Sequence, residues 1–305
     1  MCTTTKPYYD YGDYLKKRFP FKVQKISVNA GFSCPNRDGT TGIGGCSYCN
    51  NQTFNPDYCQ TTYSISEQLQ KGIHFFAHKY PEMKYLAYFQ AYTNTYASLD
   101  TLKQKYEEAL SFPGVVGLVI GTRPDCISEE LLDYLTGLAK SAYIQVEYGI
   151  ESTFDATLRR VNRGHTYSQS VDAICRTSKR GISVGAHLIL GLPGESRDQI
   201  LSHADRISTL PIDTLKLHQL QIIRHSAMEQ EFIAHPEQFN LYTPLEYARL
   251  VVDFLDRLNP QIAIERFISQ SPKELLIAPD WGLKNYEFTV LVKKMLQDKV
   301  NLESV

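Results

Sequence analysis

Apolar and polar positions along the chain alternate between two periods. Short apolar runs fit strands, first through Val23, Ile26, Val28 and Ala30, then over 85–90, 115–120, 142–150, 183–190 and 214–220. Between them apolar residues recur every three or four positions, the spacing of one helix face. Ile65, Leu69, Ile73 and Phe76 form one such face, preceded by Ser64 and Glu67 at capping-box spacing. Leu99, Leu102, Tyr106 and Leu110 form a second, and Leu131, Leu132, Leu135 and Leu138 a third. Further helices are expected over 153–161, 168–180 and 198–210. One strand and its helix take roughly 30 to 40 residues, the length of a βα unit. Such alternation specifies a parallel sheet with right-handed crossovers. The pattern predicts an α/β fold, a partial (β/α)6 TIM-like barrel over 23–220, with an open doubly wound sheet as the alternative.

Both ends depart from this rhythm. Residues 1–22 are rich in tyrosine (Tyr8, Tyr9, Tyr11, Tyr14) and then basic, which predicts an arm or short helix laid on the outside of the barrel. Beyond 220, Thr243-Pro244-Leu245-Glu246 opens a helix with an N-cap, a proline at its first position and a capping-box acid. A strand over 262–268 and a helix over 286–299 follow. The segment 221–305 reads as a C-terminal extension packed on the barrel.

Composition narrows the class. With 305 residues the chain can bury a large core. A formal charge of −1 gives no global field for a polyanion. No signal-like N-terminus or membrane-length apolar run occurs, so a cytoplasmic protein without a membrane segment is expected. Seven cysteines make an odd count, poor for a disulfide framework and suited to a metal site in a reduced compartment.

Three of those cysteines, Cys34, Cys46 and Cys49, fall within sixteen residues on the loop that leaves the first strand. The C-x2-C pair lets one turn present two thiolates to one centre. Closed zinc sites and ordinary iron–sulfur clusters take four ligands. Either Cys59 completes a zinc site, or one position stays open. Other unusual residues also follow strands, where a β/α barrel places its active site. They include Gln90, Ala91 and Tyr92 after the second, 121–125 after the third, and Glu147 and Glu151 on the fourth. Glu147 and Glu151 lie at alternate strand positions and share a face. His187 and Gly191–Glu195 come with the fifth strand, and Lys216 and His218 with the sixth. Glu265, Arg266 and Trp281 are candidates for closing the substrate mouth.

Five ordered motifs carry a resemblance: C-x11-C-x2-C with Tyr48 before its last cysteine, FQAYTNTY, TRPD, EYGIES with NRGH, and LILGLPGE. Spanning about 34 to 195, they resemble the radical S-adenosylmethionine (SAM) enzymes, and within them the YhcC-like branch related to the elongator catalytic subunit. The resemblance implies that Cys34, Cys46 and Cys49 bind a [4Fe–4S] cluster whose fourth iron takes SAM. It implies Tyr48 packed near the cluster, Gln90–Ala91–Tyr92 beside the SAM amino group, and Glu147 and Glu151 toward the cofactor, with Glu151 at the ribose. Arg163 would pair with the SAM carboxylate, His187 with the ribose, and Gly191 and Pro193 would shape the chain beside the adenine. The family's turn at 90–92 usually carries an acidic residue, which this chain lacks. An external electron donor of flavodoxin or ferredoxin type is implied as partner. The elongator relationship points to a tRNA wobble-uridine side chain as substrate. Basic positions between Lys16 and Lys25, with Lys293, Lys294 and Lys299, are the residues available to track phosphates. A small molecule or a peptide is the alternative substrate, and a non-catalytic zinc module the alternative class.

Overall fold

The structure, a computed structural model, describes residues 7–50, 53, 55–76 and 82–303. Nine strands occur among them: β1 (Val23–Val28), β2 (Lys84–Phe89), β3 (Val115–Thr122), β4 (Tyr143–Glu151), β5 (Ser183–Leu190), β6 (Thr214–Gln219), β7 (Ile222–Ile223), β8 (Ala263–Arg266) and β9 (Leu276–Ala278). Seven of them form one sheet in the order β1-β2-β3-β4-β5-β6-β8, every neighbouring pair parallel. The sheet curls into a half-barrel. The pattern had counted six strands; the seventh is the one expected in the tail, inserted beside β6. β7 and β9 pair separately as a small antiparallel ribbon, too short to show a period of their own.

The helices are α1 (Tyr11–Arg18), α2 (Ile65–Phe76), α3 (Leu99–Ser111), α4 (Glu129–Leu138), α5 (Asp155–Arg160), α6 (Tyr167–Lys179), α7 (Arg197–Ser208), α8 (Ala227–Ala234), α9 (Pro244–Arg257) and α10 (Asn285–Glu303). Several start on the caps that the sequence provides. The Thr166/Gln169, Ser196/Gln199 and Thr243/Glu246 capping boxes are all formed. Each satisfies amide donors that a helix start leaves unpaired. The core lies between the sheet's outer face and these helices, with Leu118, Ile120, Val146, Val184, Leu188 and Leu217 buried completely. Strands covered on both faces read as continuous apolar runs, which is why they were legible.

Helix α1 lies at the N-terminal end of the strands. Tyr14 is buried, with its hydroxyl 2.7 Å from Ser183 Oγ and 3.1 Å from Tyr143 OH, at the first residues of β5 and β4. Tyr9 O accepts from Ile264 N at 2.8 Å and Asp10 bridges to Ile264, so the arm covers the free edge of β8. β1 and β8 share no backbone pairing, but Lys25 Nζ of β1 reaches Glu265 Oε2 of β8 at 2.6 Å. No helix among the described residues is long and apolar enough to cross a membrane.

Candidate active site

The residue types that stood out in sequence converge on a single cleft at the C-terminal end of the sheet. It encloses about 1190 Å³ of empty space, its open mouth included. Cys34, Cys46 and Cys49 line it together with Tyr48, Gln90, Tyr92, Glu147, Glu151, Arg163 and His187. Ala91, Gly191 and Pro193 do not line it. Gly191 is at φ 94°, and a Cβ there would come 3.1 Å from the Tyr242 ring, so this glycine serves a turn packed on the tail.

The cysteine loop is held by backbone and by the NRGH segment. Arg37 N and Asp38 N donate to Cys34 O at 2.8 and 3.2 Å, and Cys49 N donates to Cys46 O at 3.0 Å. Ser47 N donates to Val161 O at 2.9 Å. Asn36 Nδ2 donates to Asn162 O at 2.6 Å, and Asn162 Nδ2 returns to Gly45 O at 2.8 Å. Arg37 reaches Cys49 O at 2.8 Å. Gly164, at φ 78°, leaves the room that Asn36 needs: a Cβ would sit 2.8 Å from Asn36 Oδ1. The motif therefore does more than supply Arg163, which sequence reasoning had not seen.

Arg163 is the hub beside the thiols. Its Nη1 stands 3.5 Å from Cys46 Sγ, and its Nη2 is 2.6 Å from Gly149 O and 3.5 Å from Glu151 Oε1. Burial opposes the charge of Arg163, but Tyr48, Cys46 and Glu151 around it hold the guanidinium protonated. Burial raises the Glu151 carboxyl, against the pull of Arg163 and Arg123. The Cys49 thiol is pushed up to about 11, first by burial and then by Cys46, with Arg37 working the other way. A metal that binds thiolate must supply that deprotonation. His165, whose Nε2 lies 3.3 Å from the accepting carbonyl oxygen of Gly149, is lowered to about 3 by burial and by Arg163, so it stays neutral.

Beneath the cleft lies a buried ion-pair network. Glu147 Oε1 accepts from Lys25 at 2.7 Å and its Oε2 from Lys216 at 2.6 Å, with His187 Nε2 2.9 Å away. Lys216 also meets Glu265 at 3.2 Å and donates to Tyr88 OH at 3.0 Å. Glu147 points inward, and both its oxygens are engaged by this network. Burial works against every charge here. For Glu147 the two ammonium groups and His187 prevail and hold the carboxyl well below its ordinary range. Lys25 is likewise held well above its ordinary value by Glu147 and Glu265, despite burial. Lys216 differs: burial outweighs the same two carboxylates, Lys25 and Arg266 repel it, and it falls to about 8. His187 falls to about 4 through burial and then Lys216.

Sequence reasoning missed Arg37, Ser269 and Ser271 in the lining, had named Thr93, Thr122 and Arg123 only as parts of their strand-end loops, and had left His218 and Arg266 open. Strand alternation could have placed His218, which pairs in register with the inward Ile189. Arg123 is paired to Asp125 at 2.8 Å within TRPD, and its Nη1 donates to Arg163 O at 2.8 Å. Cys59 Sγ donates to Ser27 O at 2.9 Å, away from this lining. Among the described residues no three His, Cys, Asp or Glu side chains converge tightly enough to cage a single metal ion. Trp281 also lies elsewhere, donating to Tyr242 O at 2.9 Å and packed on the core.

The basic arm does not reach the cleft. It sits with α1 at the opposite end of the strands, where Lys16 pairs with Asp13 and Arg18 with Asp213. Lys25 is internal, and Lys299 pairs with Asp256.

The chain is similar to known proteins along most of its length. The family model of the Radical SAM superfamily matches residues 33–207, and that of the Radical_SAM C-terminal domain matches 212–298. YtqA of Bacillus subtilis is 32% identical over 296 residues, covering 97% of this chain and 91% of that protein. YhcC of Escherichia coli K12 is 36% identical over 272 residues, covering 89% and 86%. A tRNA uridine(34) acetyltransferase of Dehalococcoides mccartyi is 27% identical over 176 residues, 56% of this chain and only 36% of that protein. Among solved structures, the archaeal Methanocaldococcus infernus Elp3 has the same fold, with a TM-score of 0.66 at 16% identity. That likeness covers 92% of this chain and 63% of the archaeal one.

Proposed function

The chain belongs to the radical SAM superfamily, and from that premise we propose that it cleaves SAM reductively and abstracts a hydrogen atom from a substrate in the same cleft. Cys34, Cys46 and Cys49 would hold the [4Fe–4S] cluster. Bound there, cluster and SAM would supply one-electron cleavage of the sulfonium C–S bond and a 5′-deoxyadenosyl radical, fed by an external donor of flavodoxin or ferredoxin type. The lining fits such a guest. Arg163 Nε, Tyr48 OH and Thr93 Oγ1 are buried polar atoms without a partner among the described residues, and their side chains line the cleft that the three thiols line. Buried polar groups are rarely left so, and an unmet cluster of them calls for a polar ligand. Arg163 would carry the anionic end of that ligand through a charge-assisted bond, Glu151 would accept from hydroxyls, and Tyr48 would shield the thiol side from water.

The observation that carries this reading is the convergence of three thiols and these unpartnered atoms on one cleft. Anaerobic purification tests it. A brown protein absorbing near about 400 nm, with about 4 iron atoms per chain, is expected. Cys49→Ala should lose both iron and the release of 5′-deoxyadenosine under dithionite, whereas Cys175→Ala keeps them. A colourless protein holding one zinc would overturn the proposal in favour of a binding module.

For the substrate, the lines toward RNA are the elongator resemblance and the name of a distant relative, a tRNA uridine(34) acetyltransferase. The basic residues of the arm lie at the far end of the barrel, so a small molecule entering the open mouth is the reading we favour. Comparing tRNA nucleosides from cells with and without the gene decides between them. A uridine modification that disappears with the gene would restore the RNA reading.

A further inference from the structure

We propose that the β8 side of the cleft is a subsite for an anionic group of the substrate, a carboxylate or a phosphate, received by the Arg266 guanidinium with His218 beside it. The proposal rests on the radical reading only in assigning that anion to the substrate.

Four arginines line the cleft: Arg37, Arg123, Arg163 and Arg266. Three are engaged, Arg37 with Cys49 O at 2.8 Å, Arg123 with Asp125 at 2.8 Å and Arg163 with Gly149 O at 2.6 Å. The Arg266 side chain makes no ion pair or hydrogen bond with any described residue, and its Nε is buried without a partner. The nearby carboxylates cannot compensate it. Glu147 and Glu265 are shared between Lys25 and Lys216, two negative charges against two positive ones. Arg266 therefore adds a charge with no counter-charge in the floor. A guanidinium held in a partly desolvated cleft is costly unless an anion meets it, and its planar fork suits carboxylate and phosphate oxygens.

Local backbone geometry explains how Arg266 comes to face the cleft. Leu215 pairs with Ile264 and Lys216 with Arg266, so Glu265 is an extra residue in β8. Such a bulge lets two consecutive side chains turn inward, where a regular strand would send one outward. Glu265 goes to the ion-pair network and Arg266 to the cleft lining.

His218 supplies a second, independent sign. It is 8% exposed, its Nδ1 is bonded to Ser269 Oγ, and its buried Nε2 has no partner. Burial, then Arg266 and His187, keep the ring neutral, and Nε2 is a donor in the tautomer in which Ser269 Oγ donates to Nδ1. Ser269 is itself fixed by Gln219, which accepts from Ser269 N at 2.8 Å and donates to Ser269 O at 3.0 Å. Ser269 and Ser271 continue the same wall.

The test is a calorimetric titration of the purified protein with inorganic phosphate, succinate and uncharged succinamide at constant ionic strength. Saturable millimolar binding of phosphate or succinate, and none of succinamide, is expected; the better probe identifies the substrate's anion. Arg266→Gln should weaken that binding about tenfold or more. Arg266→Lys should weaken it less, because the charge remains but the fork is lost. Cys49→Ala, which cannot hold a cluster, should bind the probe as the unaltered protein does, so a failure of the radical reading leaves this result standing. Neither anion binding, or Arg266→Gln binding as well as the unaltered protein, would overturn the proposal. So would a loss confined to Arg163→Gln. If Arg266→Gln does not fold, Arg266→Lys decides, since unchanged succinate affinity in that variant would equally reject the guanidinium's role.

Discussion

At the residue scale, one glycine and one lysine set conditions that composition does not reveal. Gly149 sits where β4 changes register against β5, and Arg163 and Glu151 fold over it. A Cβ there would stand 2.4 Å from Glu151 Oε1 and 2.6 Å from Arg163 Nη2. Gly149→Ala is therefore expected to displace that pair and lower SAM affinity about tenfold or more, with a cost in stability of about 1–3 kcal/mol. Equilibrium dialysis of SAM and a urea melt read the two effects separately. Lys216 titrates at about 8, below its ordinary 10.5, because burial removes its hydration. Between those values the unfolded chain holds a proton that the folded protein has released. Stability must then rise with pH from about 8 to 10.5 relative to Lys216→Met, which has no such group, and the burial penalty is present in full below 8. Paired denaturation curves from pH 7 to 10 check the sign. Of these details the sequence announced the residues but not the relations. Arg163 and Cys46 were legible as motif members; that Gly149 must lack a side chain depends on two residues folding back over it.

Elements were read better than their junctions. The strands and helices over 23–220 were legible because buried parallel strands and amphipathic helices leave strong periods. The β7–β9 ribbon was not, since β7 has two residues and β9 three, too few to carry a period. The bulge in β8 was hidden for another reason. Glu265 and Arg266 are adjacent, and a strand period of two assigns them to opposite faces, whereas the register shift gives both to the interior. Deleting Glu265 is expected to restore that period. It would remove the bridge from β1 to β8 and leave Lys25 and Lys216 with Glu147 alone. Two buried ammonium groups on one carboxylate should cost about 3–5 kcal/mol, the penalty of breaking a buried pair. Urea denaturation of this deletion measures it, and a loss below about 1 kcal/mol would mean the network is well hydrated in solution.

At the scale of the whole molecule, the sequence divides where the fold does not. The two family models meet between 207 and 212, and the apolar pattern likewise broke near 220. Yet β8 from the tail is a strand of the central sheet, and α9 buries Tyr247, Leu250, Val251 and Phe254 against the shared core. The N-terminal arm is tied to that same strand through Tyr9 and Ile264. A chain without the tail would expose the edge of β6 and lose Arg266 from the cleft. These contacts predict one cooperative unit, and the chain carries its own reporter. The single tryptophan, Trp281, lies in the tail, stacked on Phe288 at 5.7 Å and bonded to Tyr242 O. Its fluorescence follows the extension, while far-UV circular dichroism is weighted toward the helices of the barrel. Coincident urea transitions by the two probes are expected, as two-state unfolding requires. A tryptophan transition at lower urea would instead mark the extension as a separately melting piece, and the anion subsite on β8 would then be formed only while that piece is docked.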